Sequence, residues 1–416
     1  MMTYVMIALA LSAFCMVANR LSKTVITAPQ VFLALGFIVA QFSMVPEIGT
    51  EEALHIVAET TLIILLFLDA AQIDVAQLRS RFVWPARMLL LGLPLAMVLG
   101  TFAGLLVFPD WSLVFAALVA AILSPTDAAL GQAVISNPDV PDRPRRALIV
   151  ESGLNDGLAL PVILMLAVVA APSGMAPESG WVVFAAKQLV FGPAVGLAIG
   201  YVAGRVLLWA KRTDYTSDVY EGIGALAVAI GTYLTALMIG GNGFIAAFCA
   251  GLAFGAIVRG RCKFVYEFTE SEGQLLAWAS FFLLGAVLVP DAIAHLTWPM
   301  AGLILVSLLV VRPLAIWLSL IGTDAAPETR LFFGWFGPRG LATALFALLV
   351  VDQLDPQLGE GVLIIAVNAV WISAVLHGLS AVPGAVLYAR LSRADHMTGE
   401  TKPLPHGTIT GPVDHN

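Results

Sequence analysis

The chain has 416 residues, of which 59% are hydrophobic and only 12% charged, about half the charged fraction of a soluble globular domain. With a mean hydropathy of +0.92, this composition excludes a soluble domain and specifies an all-α polytopic membrane protein, with membrane lipid as its surroundings and no nucleic-acid partner. The formal net charge of −7 says less than the places where the charges fall.

The chain opens with "MMTYVMIALALSAFCMVANR". No basic segment precedes the apolar run, and Arg20 and Lys23 follow it, so this reads as a retained first helix rather than a signal peptide. A helix needs about 20 apolar residues to cross a bilayer core. Charge clusters and Pro/Gly breaks divide the chain into 13 such runs, at about 4–19, 26–44, 53–73, 83–107, 111–134, 146–171, 180–210, 218–240, 242–259, 272–290, 297–321, 330–352 and 359–390. Together they form one transmembrane domain over 1–393. The tail 394–416, rich in Pro, Gly and Thr, reads as disordered.

Basic residues fall in alternate loops: Arg20 and Lys23, Arg79 to Arg87, Arg143 to Arg146, Lys211 and Arg212, Arg259 to Lys263, Arg330, then Arg390 and Arg393. The other loops hold Glu47, Glu51, Glu52, Asp110, Asp291, Asp352 and Asp355. By the positive-inside rule the N-terminus lies outside and the C-terminus in the cytoplasm. Cys15, Cys249 and Cys262 have no paired spacing, so they suggest neither a metal site nor a disulfide framework and read as small apolar core residues.

Charges also sit where lipid should forbid them. At 1.5 Å per residue, Asp156 lies about 14 Å inside the sixth span, and Arg312 and Arg339 lie about 14 Å from the cytoplasmic ends of the eleventh and twelfth. Asp127 is a little nearer the cytoplasm, and Glu151 is a turn or so below Asp156. Ionisable groups at this depth mark ion pathways. Two of these spans carry breakers beside the charge, "LSPTDAALG" at 123–131 and "WFGPRGLAT" at 335–343. Pro125 and Pro338 each remove a backbone donor. A broken helix at this depth must face protein or a wet cavity, and a matched pair in the two halves points to a transporter binding site. Spans 4–6 and 11–13 follow the same order, and seven helices separate the two breaks, so the second unit is inverted.

The segment "PTDAALGQAVISNPDVPDRPRRALIVESGLNDGLALP", together with "GNGFIAAFCAGLAFG", "VVRPLAIWL", "GPRGLATAL" and "HGLS", resembles the cation:proton antiporter superfamily, specifically its NhaP-type sodium/proton exchanger branch. The resemblance covers essentially the whole chain. It implies a 13-helix antiporter fold of two inverted six-helix repeats joined by a linking seventh helix, with core helices at about 83–171 and 297–391. It also implies a homodimer, elevator-like movement of the core, and a place in the bacterial inner membrane in pH homeostasis. Asp156 matches the cation- or proton-binding aspartate and Asn155 its partner. Ser152 and Thr126 match residues that complete the oxygen shell, and Glu151 and Arg312 a buried ion pair. Arg339 matches the arginine expected to balance Asp127 and the helix ends, and Asp69 aligns loosely with a further acid on span 3. One departure is that many relatives read Thr-Asp-Pro at the first break, whereas here the proline precedes Thr126.

The residues alone suggest the same chemistry. Sodium prefers oxygen ligands, as other hard cations do, and one carboxylate cannot hold a proton and a cation together. Competition at Asp156 therefore gives exchange of Na⁺ or Li⁺ for H⁺, with no cofactor and no enzymatic reaction. Asn155, being neutral, predicts electroneutral exchange. K⁺/H⁺ exchange, and electrogenic exchange through Asp69 or Asp127, stay open as alternatives. A serine protease built on Ser152 and His377 lacks a nucleophile motif, and a channel would need a filter that is absent here. The spacing of Gly196, Gly200 and Gly204 suits close helix contact, within a protomer or between two.

Overall fold

The computed structural model describes residues 2–21, 24, 26–42, 50–73, 83–127, 130–135, 137, 139–172, 181–259, 262–392 and 400. Among them the regular structure is entirely helical. In chain order the helices are α1 (Met2–Leu21), α2 (Ala28–Gln41), α3 (Thr50–Ala71), α4 (Val83–Val107), α5 (Leu113–Ile122), α6 (Gln132–Ile135), α7 (Asp142–Ala170), α8 (Trp181–Arg212), α9 (Asp218–Met238) and α10 (Gly243–Val258). There follow α11 (Lys263–Leu283, continued by a π-turn and Val289–Ala294), α12 (Trp298–Ser319), α13 (Pro327–Trp335), α14 (Leu341–Val351) and α15 (Pro356–Leu391). Seven of these are long and apolar enough to cross a membrane, and α2, α5, α10 and α14 are shorter apolar helices. Large apolar side chains such as Leu106, Phe102 and Met238 point outward, as lipid-facing positions of a multi-pass membrane protein do.

Both predicted breaks are present. Helix stops at Ile122 and resumes at Gln132, and stops at Trp335 and resumes at Leu341. Three of the long apolar helices are irregular. π-turns occupy Met88–Gly92, Leu284–Leu288 and Ser307–Val311, and each ends two residues before a proline, Pro94, Pro290 or Pro313. A proline ring collides with the carbonyl four residues earlier, and in all three cases that carbonyl lies within the widened turn. The π-turn thus makes room for the ring without ending the helix.

Helix α10 is clasped on two faces. A Cβ on Gly196 or Gly200 of α8 would fall 2.2 or 2.3 Å from the carbonyls of Ala246 and Ala250. Across α10, Gly251 and Gly255 meet the carbonyls of Phe67 and Ala71 of α3 equally closely. The glycine spacing of α8 is therefore spent inside the protomer, where small residues let backbones approach. Helix α14 is buried on almost every side, from Leu341 to Leu348, as befits a half-helix enclosed by protein.

At the basic end of α7, Arg143 lies over the Trp84 ring at 3.6 Å and donates to both oxygens of Asp324 at 2.7 and 2.9 Å. Trp84 Nε1 adds a bond to Asp324 at 2.9 Å. The arginine hydrogen bonds hold the Asp324 carboxyl below the usual carboxylate range.

One expectation is corrected. Cys15 is exposed on α1, while Cys249 is partly buried and Cys262 buried, so the first of the three is not a core residue. The expected disordered tail lies outside the described residues except at Glu400. That side chain is 2% exposed and accepts hydrogen bonds from Ala326 N at 2.9 Å and Thr329 Oγ1 at 2.8 Å. It satisfies free donors at the start of α13, which helix N-termini otherwise leave to solvent, so the chain is docked at that point.

Candidate functional site

The two interrupted helices cross backbone to backbone. Asp127 N donates to the carbonyl of Pro338 at 2.9 Å, joining the break after α5 to the break before α14. Each break then receives a side chain from the other. The Arg339 guanidinium, 1% exposed, donates to the carbonyls of Ser124 at 2.9 Å and Pro125 at 3.3 Å, just beyond the C-terminal end of α5. Asp127 Oδ2 accepts from Leu341 N at 3.1 Å, at the N-terminal end of α14. A cation thus meets the carbonyl end of one half-helix and an anion meets the amide end of the other, in the sense the helix dipole favours. Arg339 is expected from the sequence to balance Asp127 and the helix ends, and here each of the two side chains bonds the opposite helix terminus. Gly340 permits this approach, since a Cβ there would lie 1.8 Å from Asp127 Oδ2.

Beside the crossing stands the acidic stretch of α7. Glu151 and Arg312 meet in a two-pronged pair, Nη1 to Oε1 and Nη2 to Oε2, both 3.2 Å, with side chains only 3% and 4% exposed. The arginine reaches across the second break, where a Cβ on Gly337 would fall 1.7 Å from its Nε. Asn155 Nδ2 donates to Thr126 Oγ1 at 2.6 Å and to the Thr126 carbonyl at 3.3 Å. Thr126 Oγ1 also lies 3.3 Å from both Glu151 Oε2 and Ser152 Oγ. Thr126, Ser152, Asn155 and Glu151 therefore form one connected buried group around the first break.

Two oxygens of α7 stand out. Asn155 Oδ1 and Asp156 Oδ1 are both buried and have no hydrogen-bond partner. Buried acceptors are almost always satisfied, and leaving one unsatisfied costs about 1–3 kcal/mol. Asn155 and Asp156 are neighbours in α7 with Ser152 about one turn before them, and unmatched buried oxygens of this kind suit a hard cation or a proton. Asp69 of α3 faces the same stretch: a Cβ on Gly153 would lie 3.9 Å from Asp69 Cβ. The carboxylates of Asp69, Asp127 and Glu151 lie within electrostatic range of Asp156. Among the described residues they do not close into a cluster of three metal-ligating side chains.

Sequence reasoning missed the support behind the second break. Arg339 N donates to Ser373 Oγ at 2.7 Å, and Ser373 Oγ lies 3.0 Å from His377 Nδ1, so α15 steadies the crossing through two side chains. The only signal was a serine and a histidine one turn apart on an apolar helix.

Crossed interrupted helices, a buried carboxylate with an unmatched oxygen, and a many-helix apolar frame define the class of ion-coupled secondary transporters. The chain belongs to the sodium/hydrogen exchanger family, whose transmembrane region matches residues 6–386. It is 30% identical over 233 residues to the K⁺/H⁺ antiporter NhaP of Alkalimonas amylolytica, covering 56% of this chain and 40% of that protein. It is also 27% identical over 267 residues to a probable Na⁺/H⁺ antiporter of Schizosaccharomyces pombe, covering 59% and 34%. The matched region is thus well under half of these curated relatives. In fold the chain is similar to the sodium proton antiporter MjNhaP1 of Methanocaldococcus jannaschii, with a TM-score of 0.76 at 21% identity over 94% of this chain and 99% of that one.

Proposed function

We propose that the protein is a secondary active antiporter exchanging Na⁺ or Li⁺ for H⁺ by competition at Asp156. The observation that carries this reading is the pair of unmatched buried oxygens, Asp156 Oδ1 and Asn155 Oδ1, beside two crossed helix breaks. A cation entering the site gains the Asp156 carboxylate, the Asn155 carbonyl oxygen and the Ser152 hydroxyl, with Thr126 holding Asn155 in place. A proton on Asp156 removes the charge that binds the cation, so one guest displaces the other. Because Asn155 is neutral, one charge replaces one charge and the exchange is electroneutral. Glu151 and Arg312 tie α7 to α12, and Asp127 with Arg339 fixes the crossing, so these four shape the site without ligating the ion. Asp69 attracts cations toward it.

In this reading the chain makes 13 membrane crossings in two inverted six-helix repeats, with the N-terminus outside and the C-terminus cytoplasmic. The helices at about 83–171 and 297–391 form the moving core, and the remainder form a scaffold that also pairs two protomers. The setting is a bacterial inner membrane and the role is pH homeostasis. The matching π-turn and proline in α4 and α12, which occupy corresponding places in the two halves, support the repeat.

A second reading, K⁺/H⁺ exchange at the same site, is favoured by the Alkalimonas relative, a K⁺/H⁺ antiporter. Everted vesicles containing a pH dye, challenged in turn with Na⁺, Li⁺, K⁺ and Cs⁺, separate the two. The account expects Na⁺ and Li⁺ to alkalinise the vesicle interior and Asp156→Asn to abolish the response. Activity retained in Asp156→Asn would refute both readings.

A further inference from the structure

Two side-chain amides tie α15 to helices far from it in sequence. Gln30, in the first turn of α2, accepts from Thr27 N at 2.7 Å through Oε1 and donates to the Ala374 carbonyl at 2.6 Å through Nε2. One amide thus caps its own helix and reaches α15, and the cap fixes which way it points. Gly378, one turn beyond Ala374, is its seat, because a Cβ there would fall 1.6 Å from Gln30 Nε2. Nearer the start of α15, the fully buried Asn368 donates to the Ala292 carbonyl, in the last turn of α11, at 2.6 Å. In a continued helix Leu296 N would take that carbonyl, but it bonds to Ile293 instead. Asn368 therefore supplies a donor to a carbonyl that the helix end leaves over. Its Oδ1 accepts from Trp371 Nε1 at 2.7 Å, which fixes the orientation of the amide. Ser373, which receives the bond from Arg339 N at the crossing, lies between the two contacts.

We propose that Gln30 and Asn368 are positioning residues that latch the core to the scaffold at two points along α15, and that both contacts open in every exchange cycle. The proposal rests on the antiport reading above, under which α15 belongs to the moving core and α2 and α11 to the scaffold. Each contact joins a neutral amide to a backbone carbonyl, so its net worth is modest. Two such bonds define a resting position for the helix that steadies the crossing, and they can still break within one turnover.

The test uses the full-length protein in liposomes loaded with a pH dye, with the response to Na⁺ or K⁺ as the readout. Gln30→Glu keeps an acceptor for Thr27 N but removes the donor to Ala374. It is expected to raise the maximal exchange rate about fivefold, equivalent to about 1 kcal/mol taken from the resting state, with KM for the cation unchanged. Mere damage to the fold would lower the rate, so a maximal rate at or below the parent's overturns the proposal. The second arm pairs Gln30→Cys with Gly378→Cys in a background where Cys15, Cys249 and Cys262 are alanine. The atoms that a Cβ at 378 would strike belong to the replaced glutamine, so the pair fits and its thiols lie within reach of a short disulfide-forming cross-linker. Cross-linking is expected to abolish exchange, and reduction to restore it. Exchange that persists in the cross-linked protein, or a pair that does not cross-link, overturns the proposal. Gln30→Glu carries the test if the paired cysteines disturb folding. A parent protein that gives no cation response fails the antiport reading instead, and that failure is read on the parent trace alone.

Discussion

Removing one partner of the Glu151–Arg312 pair gives the sharpest energetic expectation. Both side chains are nearly fully enclosed, and the two parallel 3.2 Å contacts neutralise the guanidinium in place. Glu151→Gln leaves the Arg312 charge buried opposite an amide, and breaking such a pair costs about 3–5 kcal/mol. At about 1.4 kcal/mol per factor of ten, that is roughly two to four powers of ten in the folded-to-unfolded ratio. Arg312→Met should be milder, because a lone carboxyl can take up a proton whereas a guanidinium does not give one up. The double variant Glu151→Leu/Arg312→Met removes both charges, a change that is often neutral or stabilising. It loses only the long Thr126 contact at 3.3 Å, worth about 1 kcal/mol. Detergent-purified variants unfolded in a denaturant series and followed by tryptophan fluorescence provide the assay. The double variant should recover most of the stability lost by Glu151→Gln. A double variant as unstable as the sum of the two single changes would show that the pair is not what holds α7 to α12.

Four further outcomes follow from the same geometry. Asp156→Asn should fold like the parent by gel filtration and show no cation-driven proton movement in vesicles. Asn155→Asp adds a second charge at the site, so exchange in proteoliposomes should become sensitive to an imposed membrane potential, to which the parent is indifferent. Gly340→Ala forces Asp127 away from Leu341 N, and losing such a helix cap costs about 1 kcal/mol; adding Asp127→Ala should relieve the collision, so that the double variant is no less stable than Gly340→Ala in thermal melts. The Asp324 carboxyl is held low by Arg143, so its contribution is present above the ordinary carboxylate value of about 3.9 and fades as pH falls through the lower folded value. Asp324 is about half exposed, which limits the effect to under about 1 kcal/mol. Melting temperatures from pH 7 to 3 should converge for Asp324→Asn and the parent only at the acid end.

Much of the site was legible in the sequence because its signals were local and chemically expensive. Carboxylates and arginines at mid-depth, next to Pro125 and Pro338, have few physical explanations, and the breaks at both prolines lie where those residues place them. What the sequence withheld depends on which helix faces which. The exchange of helix-end partners between Asp127 and Arg339 requires the two breaks to cross at one particular register, which neither break specifies alone. Ser373 and His377 look like minor polar residues until Arg339 N is placed against them. The π-turns are tied to Pro94, Pro290 and Pro313, but a proline in an apolar helix fits a kink as readily as a widened turn. Glu400 falls in a stretch whose composition reads as unstructured, and only the Ala326 amide and the Thr329 hydroxyl at the start of α13 explain its burial.

The central claim is that one carboxylate serves cation and proton in turn, and the most direct measurement is the apparent KM for the exchanged cation as a function of pH in proteoliposomes. Strict competition at Asp156 predicts that on the acid limb KM rises about tenfold for each unit fall in pH while the maximal rate at saturating cation stays constant. A KM indifferent to pH, with the maximal rate falling instead, would place the proton on a different group and contradict the account.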